Sequence, residues 1–152
     1  MALTIVLGSC NASKTVRTSK KVIKGDWILN TITYDQTGTF NVSLFDDATK
    51  DCFESSSWNF IPNNNTGTYT INGAKCSNGE RYFIFTIQEV DPETGLYDFL
   101  LKPTDAKEKS ETNRGFRLQL TQLSDTDMQW QQTVSLEGKP FKIAMNFTKT
   151  QN

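Results

Sequence analysis

The sequence predicts an all-β fold, an antiparallel up-and-down β-barrel of about eight to nine strands. Aromatic residues make up 11% of the 152 residues, with ten Phe, an enrichment that suits pleated, half-buried surfaces. From Gly25 onward, short stretches of alternating apolar and polar residues follow one another, with turns rich in Gly, Pro, Asn and Asp between them. Consecutive strands joined by a few residues pair as antiparallel neighbours. A meander of this length must close on itself or split into two sheets to hide its edges.

The strands fall in order. Trp27–Tyr34 is the first, turned by Asp35-Gln36-Thr37-Gly38. Thr39–Phe45 follows, apolar at even positions. Asp46–Glu54 holds a single helical turn or a loop. Trp58–Ile61 and Thr68–Ile71 flank Pro62-Asn63-Asn64-Asn65-Thr66-Gly67, whose Asn and Gly tolerate positive φ, so this is a hairpin. Tyr82–Ile87 is apolar on both faces, and Asp91-Pro92-Glu93-Thr94-Gly95 turns the chain into Leu96–Lys102. A charged loop over residues 103–114 leads to Phe116–Leu120. Met128–Leu136 and Phe141–Phe147 close the series around Glu137-Gly138-Lys139-Pro140.

Charge and composition exclude several function classes. Histidine is absent, which removes Ser-His and Cys-His nucleophile pairs and the commonest metal ligand. Residues 11–24 carry Lys14, Arg17, Lys20, Lys21 and Lys24 and no acid, so eleven cations face all seventeen acids in the remainder. A negative body repels a phosphate backbone, and nucleic-acid binding is not expected. Glu89, Asp91, Glu93 and Asp98 are oxygen donors of the kind calcium takes, but their spacing matches no EF-hand and a solvated turn is the plainer reading. Asp46, Asp47, Asp51 and Glu54 are the carboxylates available for acid–base chemistry, and nothing in the sequence fixes their separation. No catalytic residue, metal site or cofactor is expected.

Cys52 and Cys76 lie symmetrically about residue 64, inside the predicted hairpin turn. Folding about that point brings them side by side just beyond the strand ends, as a disulfide requires; two free buried thiols are the alternative. A disulfide persists only outside the reducing cytosol.

Leu7-Gly8-Ser9-Cys10 resembles the lipobox of bacterial lipoproteins. The resemblance implies that residues 1–10 are a signal-peptide remnant and that Cys10 carries the lipid. An ordinary N-terminal strand over Leu3–Leu7 is the alternative. Residues 11–24 then read as a basic flexible tether spanning on the order of 20 Å, its cations resting against anionic headgroups or simply solvated. Residues 25–152 are the barrel domain. This places the protein outside the cytoplasm, lipid-anchored in the bacterial cell envelope, at the outer membrane or in the periplasm.

Gly25-Asp26-Trp27 at the start of the first strand, followed by an up-and-down series of strands, is similar to the lipocalin signature. With the lipobox upstream, the chain resembles the lipocalin-like domains of bacterial lipoproteins over residues 25–149, although the family's central Thr-Asp-Tyr turn is missing. The resemblance implies that Trp27 plugs one end of the barrel beneath a cation from the last strand. Strand parity through Phe141, Ile143, Met145 and Phe147 reaches Lys149 as that cation, with a solvated terminal lysine as the alternative. It also implies a small hydrophobic ligand, such as a fatty acid, a sterol-like molecule or a pigment. Parity places Leu29, Trp58, Phe60, Phe83, Phe85, Tyr97, Phe99, Phe116, Leu118, Trp130, Ile143 and Met145 inside, and the ligand would lie against Trp58, Phe60, Phe83, Phe85, Phe99, Phe116, Leu118, Trp130 and Met145. The alternative is a barrel whose interior is filled by these side chains and which works through its loops on an envelope protein partner.

Overall fold

Along Lys139–Lys149 every second side chain is buried, namely Phe141, Ile143, Met145 and Phe147, and this period-2 alternation builds the wall of a closed barrel. The computed structural model describes residues 10–151. Eight strands form the wall: β1 (Gly25–Tyr34), β4 (Ser57–Ile61), β5 (Thr66–Ile71), β6 (Gly79–Val90), β7 (Tyr97–Thr104), β8 (Phe116–Leu123), β9 (Asp127–Leu136) and β10 (Lys139–Lys149). Each pairs antiparallel with its neighbours in the order β1-β10-β9-β8-β7-β6-β5-β4, and β4 returns to β1. Bulges between Leu29 and Thr31, Ile87 and Glu89, and Leu120 and Gln122 bend the wall and reset which residues face inward. Ile32, not Thr31, thus follows Leu29 into the core.

Alternating strand direction sorts the connections between two ends. Gly25, the turns at 62–65, 91–96 and 124–126, and Lys149 gather at one end. The long connection 35–56, the loops 72–78 and 105–115 and the turn 137–138 gather at the other, the mouth.

The stretch Thr39–Phe45 is not a ninth wall strand. Only Ser43–Leu44 (β2) forms β-structure, pairing with Ala48–Thr49 (β3) in a separate two-stranded hairpin followed by a single helical turn, Lys50–Phe53 (α2). Phe40, Val42, Leu44 and Phe45 alternate because they hang a lid over the mouth and need apolar anchors there, not because they line a wall.

The basic segment is not an extended tether. Cys10–Ile23 forms a helix, α1, lying across the closed end. Ser, Thr and β-branched residues dominate it, and a helix of this length is marginal alone, so tertiary contacts hold it. Ser19 is buried and its hydroxyl donates to the Tyr97 hydroxyl at 3.1 Å. Ile23 is buried in the core. The last carbonyls of a helix have no partner within it; here Trp27 Nε1 donates to the Ile23 carbonyl at 2.9 Å and Lys149 Nζ to the Val22 carbonyl at 2.7 Å. Lys20 and Lys21 in the last turn complement the helix dipole. Cys10 is the first residue of α1; Leu7-Gly8-Ser9 lie outside the described residues.

Gly25 joins α1 to β1 at φ +112°, a conformation that L side chains rarely adopt, and Trp27 follows it, fully buried. Lys149 Nζ lies 5.3 Å from the centroid of the Trp27 ring. The Gly-x-Trp triplet is therefore a joint: the glycine turns the chain and the indole ties helix, first strand and last strand together.

Trp27→Phe keeps an aromatic ring, smaller than the indole, and removes the donor to Ile23. Urea unfolding is expected to show a loss of about 1–2 kcal/mol, the cost of leaving a buried carbonyl unpaired. Lys149→Met should lose a comparable amount. Unchanged midpoints in both variants would show that the joint contributes nothing.

Candidate functional site

The interior is packed with rings. Trp58 touches Phe45, Phe53, Phe60, Tyr69, Phe83, Trp130 and Phe147, with centroids 4.5 to 6.3 Å apart. Trp130 in turn meets Phe60, Phe99 and Phe147. Gly67 on β5 makes this packing feasible, because a Cβ there would stand 2.4 Å from Phe83 Cζ. The residues expected to line a ligand cavity, Trp58, Phe60, Phe83, Phe85, Phe99, Phe116, Leu118, Trp130 and Met145, all face inward and are all buried. They fill the barrel axis against one another, and of the nine only Phe116 borders the cleft described next. Trp58 Nε1 donates to Ser56 Oγ at 2.9 Å, whereas the buried Trp130 Nε1 has no partner among the described residues.

Open space lies at the mouth. A cleft of about 390 Å³ runs between the lid and the 105–115 loop. Phe45 and Phe116 contribute its apolar side, and Asp46, Asp47, Arg81, Tyr82, Thr104, Glu111, Thr112 and Arg114 its polar side. The tip of the lid places Phe45 there. Leu44 to Asp47 make a tight turn, closed by Asp47 N–H on the Leu44 carbonyl at 3.0 Å, with Phe45 and Asp46 at φ +54° and +53°. Such a turn ordinarily takes Asn-Gly, and a Phe at positive φ costs of order 1 kcal/mol or more. Tertiary contacts hold it: the Phe45 ring packs on Phe53, Trp58 and Phe116 at 5.6, 6.2 and 5.5 Å.

Polar fasteners surround that ring. Arg81 forks onto Asp47, Nε at 2.9 Å and Nη2 at 3.1 Å, and also donates to the carbonyls of Gly79 and Ser77. The Tyr69 hydroxyl donates to Asp47 Oδ2 at 2.7 Å. Burial, reinforced by that bond to a carboxylate, pushes the Tyr69 hydroxyl far above its ordinary range, so it stays protonated. Arg114 pairs with Asp46 at 2.8 Å and stands 5.3 Å from the Phe116 centroid. Cys52 and Cys76 form a disulfide, Cα atoms 5.7 Å apart, that staples α2 of the lid to the 72–78 loop.

Several of the other acidic groups singled out in the sequence are held by structural partners. Glu54 accepts from Lys50 and from the Ile32 amide at the β1 bulge. Asp98 and Glu89 share Arg117, and Asp91 caps its own turn by accepting from the Glu93 and Thr94 amides. Among the described residues no group of three or more His, Cys, Asp or Glu is placed to hold a metal ion. Arg81, Tyr69, Arg114 and Phe45 had no mark in the sequence as mouth residues; the only local signal was Asp46-Asp47 directly after an aromatic.

A closed eight-stranded antiparallel barrel with a lid over one end and a plugging Trp at the other has a lipocalin-like architecture. The fold matches a lipocalin-like protein from Bacteroides uniformis with a TM-score of 0.50 and 11% identity, over 85% of this chain and 99% of that one. No family model matches the sequence, and no curated protein does.

Closing a loop with a sequence separation of 24, the disulfide should stabilise the fold by about 3 kcal/mol. Reduction, or Cys52→Ser with Cys76→Ser, is expected to lower the denaturant midpoint accordingly. A second outcome concerns alkali. Burial raises the hydroxyls of Tyr34, Tyr69 and Tyr97, so above about pH 10 the fold retains protons that the unfolded chain has released. Stability is therefore complete below about pH 10 and falls as pH rises beyond it. Tyr69→Phe should flatten that fall in urea melts recorded from pH 8 to 11.

Proposed function

We propose that the protein is an exported, non-catalytic binding protein of the bacterial cell envelope, anchored through a lipid on Cys10, which takes a small and largely apolar ligand at the barrel mouth. The mouth cleft carries this reading. Its volume of about 390 Å³ lies within the range of small-molecule sites, and it joins aromatic surface to a few polar groups. Phe45 and Phe116 would hold the apolar part. Tyr82, Thr104 and Thr112 on the rim offer hydrogen bonds. The disulfide suits an oxidising compartment, and the lipocalin-like fold agrees with ligand binding.

The filled interior favours a second reading, in which the barrel is a rigid support and its loops engage an envelope protein. Native mass spectrometry of the full chain from an oxidising compartment separates the two. An added mass that solvent extraction removes, and that Phe116→Ala loses, supports the mouth site. A bare mass after incubation with a total lipid extract turns the reading to the filled support. Trp130→Phe removes the unpaired donor and should leave ligand retention unchanged; loss of the ligand in that variant would move the site from the mouth to the barrel axis.

A further inference from the structure

We infer that α1 is a docking helix for an anionic lipid surface and that it seats the barrel closed end down, mouth outward. Arg17, Lys21 and Lys24 are spaced i, i+4 and i+7, so they form one ridge, and all three are exposed. The Lys24 amide bonds the Lys20 carbonyl, which carries the helical turn as far as Lys24. At 3.6 residues per turn the ridge lies about 150° from Ser19 and Ile23, the side chains of residues 17–24 that are buried on the barrel. The fold thus buries one face of this segment and turns these three cations away from itself.

None of the ridge cations forms an ion pair among the described residues; the pairs there join Lys50, Arg81, Arg114 and Arg117 to carboxylates. Acids do occur at the same end: Asp26 accepts from Asn59, Asp127 from Thr126, and Asp91 from its own turn, while Glu93 and Asp125 are exposed in their turns and form no ion pair with the ridge. The ridge is therefore free to meet an external anion.

The charge of the rest of the chain selects a flat bilayer over another polyanion. The remainder of the chain bears eleven cations against seventeen acids. A flat surface touched only at the closed end leaves the mouth about 25 Å away, several Debye lengths beyond repulsion, whereas a nucleic acid would run along the acidic wall. No described helix is long and apolar enough to cross a membrane, so α1 would lie on the surface.

This inference takes its setting from the envelope reading but does not need the lipid, and the test separates them. The full chain carrying Cys10→Ser, which cannot be lipidated there, is mixed with vesicles of phosphatidylcholine alone or with 30% phosphatidylglycerol. It should sediment with the anionic vesicles only and be released at high salt. Each cation near such a surface is worth about fivefold in partition. The combined variant Arg17→Gln, Lys21→Gln, Lys24→Gln should therefore bind about 100-fold more weakly while still unfolding in one cooperative transition, and Lys21→Arg with Lys24→Arg keeps binding. A dye on Ser135→Cys, near the mouth, should escape a headgroup quencher that reaches one on Asn63→Cys in the closed-end turn. Failure of the Cys10→Ser chain to bind, equal binding by the triple variant, or tighter binding to a DNA duplex than to vesicles would each overturn the inference. A lost ligand at the mouth would leave it untouched.

Discussion

The seam where the barrel closes depends on Trp27. Its backbone pairs with Lys149 of β10 on one side and with Trp58 of β4 on the other. Its indole nitrogen holds the last turn of α1, and its ring lies under the Lys149 ammonium. A sheet closes into a barrel only if its first and last strands meet in a fixed register. Here one buried side chain sets that register and at the same time seals the end. Lys149 works in the same direction: by donating to Val22 it neutralises the partial negative end of α1, and by standing over Trp27 it stays close to a π face. Remove either partner and a helix carbonyl loses its bond while the seam loses its filler.

Above that seal the aromatic stack decides what the barrel can hold. Rings at 4.5 to 6.3 Å around Trp58 leave the axis to side chains. Eight strands enclose just enough room for that outcome or for one small ligand, and the choice rests on side-chain size. Gly67 shows how closely it is set, since even a methyl group there would collide with Phe83. With the axis occupied, the stack meets open space where it ends, at Phe45 and Phe116.

The wall was legible in the sequence because a wall strand carries its own instruction. Met128–Leu136 and Phe141–Phe147 alternate so regularly that Phe141, Ile143, Met145 and Phe147 could be assigned inward without coordinates, and the hairpin at 62–65 announced itself through its asparagines. Thr39–Phe45 obeys the same alternation yet is a lid, since period 2 reports a buried face without saying which surface buries it. The helix was illegible for the opposite reason. Over residues 17–23 its buried face is Ser19 and Ile23, too narrow to show a period, and the Ile23 and Val22 carbonyls are satisfied from Trp27 and from Lys149, the latter 127 residues away in the chain. The disulfide could be anticipated from symmetry about the turn, whereas the Asp47–Arg81–Tyr69 cluster could not, because nothing local relates those three residues.

The lid is fastened unequally along its length, and that inequality says where it can move. At α2 a covalent bond fixes it through Cys52, and at Asp47 a forked guanidinium and a tyrosine hold a carboxylate that is largely withdrawn from water. At the tip the polar fastening is Asp46 with Arg114, both more than half exposed, and exposed pairs contribute about 0–1 kcal/mol, so the packing of the Phe45 ring on Phe53, Trp58 and Phe116 is what holds it. The tip is also where Phe45 holds a positive φ that an extended backbone would relieve. Weak polar fastening and stored strain coincide at the residue that fills the mouth, and burial of its ring opposes them. A ligand entering between Phe45 and Phe116 would have to replace the packing of that ring, while the disulfide and Asp47 keep the remainder of the lid in place.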